Sequence, residues 1–117
     1  MVRNAQVAYH HEDRDGRRTL AVSGEIDIAT APGLRHELET LIAEAHSPAV
    51  LDLSAVTFID ASGLSELVAA QRKVAHTDVE IVLVDPSAPC RRILEVTGLD
   101  RAFEIEIMPN RLIGDAR

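Results

Sequence analysis

Two apolar runs, AVLDL (Ala49 to Leu53) and VEIVLV (Val79 to Val84), dominate the middle of the sequence and are rich in β-branched residues. Runs of this kind suit strands covered on both faces or paired on both edges. Between them Leu64, Leu67, Val68, Val74 and Ala75 recur at helical spacing. A strand, an amphipathic helix and a strand at this separation imply a right-handed parallel crossover, so the centre of the fold is an α/β unit.

The flanking segments extend this unit. Gln6 to His10 and Thr19 to Ser23 read as short strands around HEDRDGRR, in which Asp15-Gly16 is a hairpin turn signal. After GEIDIA, Thr30 is a candidate helix cap with Pro32 in the first turn. Leu34, Leu38, Leu41, Ile42 and Ala45 then share a helical face, and Ser47-Pro48 ends the helix. A third helix is predicted from a Ser87 cap, with Pro89 in its first turn, through Ile93 and Leu94 to a left-handed stop at Gly98, with Leu99 packing back. Phe103, Ile105 and Ile107 alternate with Glu104 and Glu106 as in a half-exposed edge strand, and PNRLIGDAR (109–117) reads as a loose tail. The expected order is ββαβαβαβ: a mixed sheet opened by a hairpin, continued by parallel strands, with helices on at least one face.

Length and charge narrow the function. The 117 residues fit one ordinary domain, 1–117. No apolar run approaches the roughly 20 residues of a membrane helix, and the opening MVRNAQVAYHHEDRDG lacks the apolar core of a signal peptide. The cytoplasm is therefore the expected location, without a membrane partner. With 19 acidic against 12 basic residues the formal charge is −7, and the pairs Arg17-Arg18 and Arg91-Arg92 lack neighbouring aromatics. A direct nucleic-acid partner is not expected. The lone Cys90 reads as a helix packing residue rather than a nucleophile.

Sites in such sheets gather where parallel strands end and helices begin. The stretch TFIDASGLSEL (Thr57 to Leu67) passes through such a point: an apolar run closes on Asp60, and Ser62 and Gly63 lead into the helical pattern. Ser62 could be a helix cap. Alternatively Asp60 caps the helix, Ser62 presents an exposed hydroxyl in the first turn, and Gly63 allows another molecule to approach closely. A serine nucleophile would need a histidine base and an elbow such as GxSxG, which is absent. His10, His11, His36, His46 and His76 read as surface or loop residues, and adjacent His10 and His11 would face opposite ways on a strand, which argues against a metal site. Asp27, Asp52, Asp60 and Asp85 raise the possibility of a magnesium-dependent phospho-aspartate receiver. The one lysine, Lys73, lies inside a predicted helix rather than at a late strand end. No glycine-rich phosphate loop is present, so tight nucleotide binding has no support.

Taken together, GEID (24–27), LDLSAVTFIDASGL (51–64) and RRILEVTGLDRAFEI (91–105) resemble a STAS domain of the anti-sigma factor antagonist family over nearly the whole chain. The resemblance implies that Ser62 is a phosphoacceptor, Asp60 the acid of its motif and Asp27 the acid of the GEID block nearby, with Ala61, Gly63 and Leu64 completing a partner-binding segment. Ala61 stands where many members carry a second hydroxyl, which leaves Ser62 as the only one in the motif. The short C-terminal segment departs from members that end in another helix. The family implies a non-enzymatic switch. The unphosphorylated domain binds an anti-sigma factor with serine kinase activity and frees a sigma factor. That kinase uses ATP to phosphorylate the serine, and a PP2C-type phosphatase resets it. No cofactor or metal is expected on the chain itself. The alternatives are a non-enzymatic STAS subunit of a transporter or lipid-trafficking complex, and a stressosome-type scaffold, whose members usually carry a further N-terminal sensor domain.

Overall fold

The structure, a computed structural model, describes residues 7–108. The elements follow the order β1 (Val7–Arg14), β2 (Arg17–Ile26), α1 (Ala31–Glu44), β3 (Ala49–Ile59), α2 (Ala61–Val74), β4 (Ile81–Val84), α3 (Ala88–Thr97), a 3-10 turn (Leu99–Arg101) and β5 (Glu104–Glu106). This is the expected mixed α/β order. The predicted tail, 109–117, lies outside the described residues.

The strands lie side by side in chain order, β1-β2-β3-β4-β5, antiparallel at the first pair and parallel thereafter. Right-handed crossovers that always step in one direction leave every helix on the same side. The core matches that rule. Leu34, Leu38 and Leu41 of α1, Leu64, Leu67 and Val74 of α2, and Cys90 and Leu94 of α3 join Leu20, Val22, Leu51, Leu53, Ile81 and Leu83 in one cluster.

The other sheet face has no described helix. Val50, Val82 and Val84 are nevertheless buried there, packed with Met108. Arginine side chains reach over this face with their charges paired: Arg14 binds Asp52 at 2.8 Å and Glu12 at 2.6 Å, and Arg17 spans to Glu106 at 3.0 and 3.3 Å. Apolar arginine stems can cover a sheet while their heads stay in water.

Several boundaries differ from the predicted ones for identifiable reasons. The hairpin strands are longer than expected because pairing continues through charged residues up to Arg14 and Arg17, around Asp15 and Gly16, both at positive φ. β5 is only three residues long. β4 offers it partners from Val82 to Val84 alone, so Phe103 is buried just outside the strand and Ile107 is exposed rather than in register. Thr30 and Ser87 occupy cap positions but make no side-chain cap bonds. Gly98 does end α3 in the left-handed region, at φ +76°, and Leu99 packs against the core.

Candidate functional site

Ile26 and Ile59 are register partners at the ends of β2 and β3, and the Asp60 N–H donates to the Ile26 carbonyl at 3.2 Å. That bond draws together the two turns that follow, one carrying Asp27 and the other Asp60. Asp60 caps α2 from an extended backbone, its Oδ1 accepting from the Ser62 N–H at 2.9 Å. Of the two readings of the motif, the aspartate is thus the cap. Ser62 sits half-buried in the first helical turn, and no described residue hydrogen-bonds its hydroxyl.

Gly63 has a role other than the one read from sequence. It is buried, and a Cβ placed there would stand 2.4 Å from Ile26 Cγ2 and 3.0 Å from Ile59 Cγ1. The close approach that glycine permits is therefore internal: α2 is seated directly on the ends of β2 and β3, which fixes the height of Ser62. Leu64 is buried too, with its edge lining a shallow groove beside Ala61, Ser65, Val68 and Leu99.

Asp27 organises its own turn. Its Oδ1 accepts from the N–H groups of Ala29 and Thr30 at 2.9 and 3.1 Å. The Thr30 hydroxyl turns backwards, accepting from the Asp27 N–H at 2.8 Å and donating to the Glu25 carbonyl at 3.1 Å, which explains why it does not cap α1. The turn holds Ile28 out at 79% exposure. On the neighbouring strand Phe58 is 46% exposed, so the end of the sheet around Ser62 combines acidic and apolar surface.

Glu66, one turn beyond Gly63, is buried and makes two bonds of 2.9 Å to Arg35 of α1. The Arg35 guanidinium, chiefly through these hydrogen bonds, holds the Glu66 carboxyl below the usual carboxylate range. The pair ties α2 to α1 behind the candidate acceptor.

Other candidates are dispersed. Asp52 lies within β3 and meets Arg14, Asp85 accepts from the Met108 N–H at 2.8 Å, and Lys73 pairs with Glu39 on the helical side. The receiver constellation is not assembled. His10 and His11 lie on β1 and point apart as expected, to Glu12 at 3.0 Å and to Glu37 at 2.6 Å. Among the described residues no group of metal-binding side chains converges, and no helix is long and apolar enough to cross a membrane. Cys90 is buried in the core, and burial pushes its thiol pKa up.

Sequence reasoning overlooked Ile28, Phe58 and Glu66. Glu66 could have been found, because it falls on the helical face of Gly63, Leu67 and Ala70. Phe58 could have been found as well, because alternation from the buried Leu51 and Leu53 turns it away from the helices; the pairing of β3 with β2 slips twice, between Ala21 and Ser23 and between Gly24 and Glu25, and the residue this hides is Val56, buried out of phase. Such slips break the period-two alternation from which a strand's outward residues are read.

Residues 8–111 match the family model described as STAS domain. Among curated relatives, the anti-sigma-F factor antagonist RsfB of Mycobacterium tuberculosis is 33% identical over 93 residues, covering 80% of this chain and 75% of that protein. The anti-sigma-B factor antagonist of Listeria monocytogenes is 32% identical over 96 residues, covering 82% and 84%. Among solved structures, an anti-sigma factor antagonist from Mycobacterium paratuberculosis superposes with a TM-score of 0.75 at 32% identity, covering 98% of this chain and 97% of that one.

Proposed function

The chain belongs to the STAS domain family, and on that footing we propose that it is a cytoplasmic anti-sigma factor antagonist switched by phosphorylation of Ser62. In this reading the chain is one regulatory domain and not an enzyme. Unphosphorylated, it binds an anti-sigma factor that has serine kinase activity, and the sigma factor is released. ATP binds the kinase, not this chain, and a PP2C-type phosphatase restores the binding form.

The observation that supports this reading best is the arrangement of Asp60 and Ser62. Asp60 takes over the capping of α2, which leaves the Ser62 hydroxyl in the first turn without a structural duty. A phosphate there adds a charge of about −1.5 to −2 at neutral pH, and the backbone N–H groups of the helix start tolerate it. The fold therefore survives modification. An interface closing over Asp27, Asp60, Ala61 and the rim of Leu64 would instead have to desolvate the phosphate beside two carboxylates. Gly63 contributes from beneath, by setting the position of the helix start. Desolvating such a charge costs several kcal/mol, which corresponds to a loss of about a hundredfold or more in affinity.

The test is to incubate the chain and its Ser62→Ala variant with ATP and the purified kinase-type anti-sigma factor from the same genome. Mass spectrometry should place one phosphate on Ser62 and none on the variant, and the phosphorylated chain should no longer bind the kinase. Stable binding without transfer, or an unmodified Ser62 in protein recovered from growing and stressed cells, would reject the switch in favour of a constitutive STAS subunit.

A further inference from the structure

β3 is much longer than the strand beside it. Its pairing with β4 ends at Asp52, yet it continues to Ile59. On the side facing away from β2, the Ser87 N–H reaches the Leu53 carbonyl at 3.2 Å. Past Leu53 no strand among the described residues lies against that edge. Instead α3 packs against β3, and between them an open groove of about 510 Å³ is lined by Phe58, Ile59, Pro89, Arg92, Ile93 and Val96.

Three properties of this groove specify what would fill it. Its floor is a strand edge, whose free N–H and C=O groups are satisfied by an added extended segment. Its walls are apolar and solvent-exposed, with Val96 at 80% and Phe58 at 46% exposure, although exposed apolar clusters usually mark interaction sites. Its rim carries Arg92, which is exposed and forms no ion pair with a described residue, on a chain whose formal charge is −7. The groove also ends at Ile59, next to Asp60 and the start of α2.

Building on the reading of the chain as an anti-sigma factor antagonist, we propose that this groove receives an extended segment of the anti-sigma factor alongside the free edge of β3. That segment is apolar opposite Phe58 and Val96 and acidic opposite Arg92. The interface then has two parts: a chemically switched one at Ser62, and an unswitched anchor at the β3 edge that sets partner choice. A segment lying along the edge would come to its end beside the acceptor hydroxyl, so the anchor also orients the kinase.

The test uses the full unphosphorylated chain and the purified anti-sigma factor that phosphorylates Ser62, without ATP so that no transfer occurs. Amide hydrogen exchange of residues 54–59 should slow in the complex, as should exchange around Ser62. Val96→Asp and Arg92→Glu, both at exposed positions, should weaken binding by about tenfold or more, while His76→Asp, beyond the far end of α2, should not. Urea unfolding of each variant verifies that the fold is retained. Slowed exchange confined to the Ser62 region, or unchanged affinity in the Val96 variant, would overturn the anchor and leave the proposed function standing. Failure of any anti-sigma factor to bind or phosphorylate the chain would overturn both, and the two failures are distinguished by whether a complex forms at all.

Discussion

Gly63 owes its place to the crowding beneath it. Ile26 is fully buried, so its Cγ2 cannot withdraw from a methyl group arriving at 2.4 Å. Overpacking of this kind costs about 1–3 kcal/mol, whereas replacing a helical glycine by alanine returns at most about 1 kcal/mol. Packing wins, and Gly63→Ala is expected to lower stability in urea unfolding despite its better helix preference. An unchanged or raised midpoint would show that the ends of β2 and β3 yield easily, and that α2 is not seated as tightly as the distances indicate. Asp60 is placed by a different force, a hydrogen bond to one N–H, and Ser62 by its release from that task.

At the level of elements, α1 and α2 are joined by the ion pair of Arg35 and Glu66, and this joint responds to acid. The carboxyl of Glu66 is held below its usual range in the folded chain, so the folded form binds that proton less readily than the unfolded form. Its contribution is therefore complete above the ordinary glutamate value of about 4.3 and is lost as the pH falls through the lower folded value. Urea midpoints at pH 7 and pH 3 should differ less in Glu66→Gln than in the parent chain, and an equal difference would show that the pair is thermodynamically idle. Elements themselves were legible in the sequence because helical spacing in 34–45 and 64–75 and the apolar runs at 49 and 79 leave little choice of period. What was hidden depends on neighbours. The twin slips along β3 brought Val56 into the core out of phase with Leu51 and Leu53, the shortness of β4 cut β5 to three residues, and Thr30 gave up its cap because Asp27 claimed the turn. Likewise the motif marked Ser62 and Asp60 by residue type, but that Gly63 faces inward follows only from the packing of two isoleucines.

Across the whole molecule the two faces of the sheet are held by unlike means, and mutation should separate them. Leu51 lies in the helix-covered core, and Leu51→Ala is expected to cost about 2–5 kcal/mol. On the opposite face Arg17 is a partly exposed ion-pair partner, so Arg17→Ala should cost under about 1 kcal/mol. Losses of equal size, read from urea unfolding, would show that the arginine side bears as much of the stability as the helical side. The sheet's spatial order, identical to its order along the chain, has a consequence for biosynthesis. No strand has to be threaded between two that are already in place. As the polypeptide leaves the ribosome, β2 finds β1 waiting, β3 adds to β2, and each later strand joins the newest edge, so assembly can keep pace with translation from the first hairpin onward.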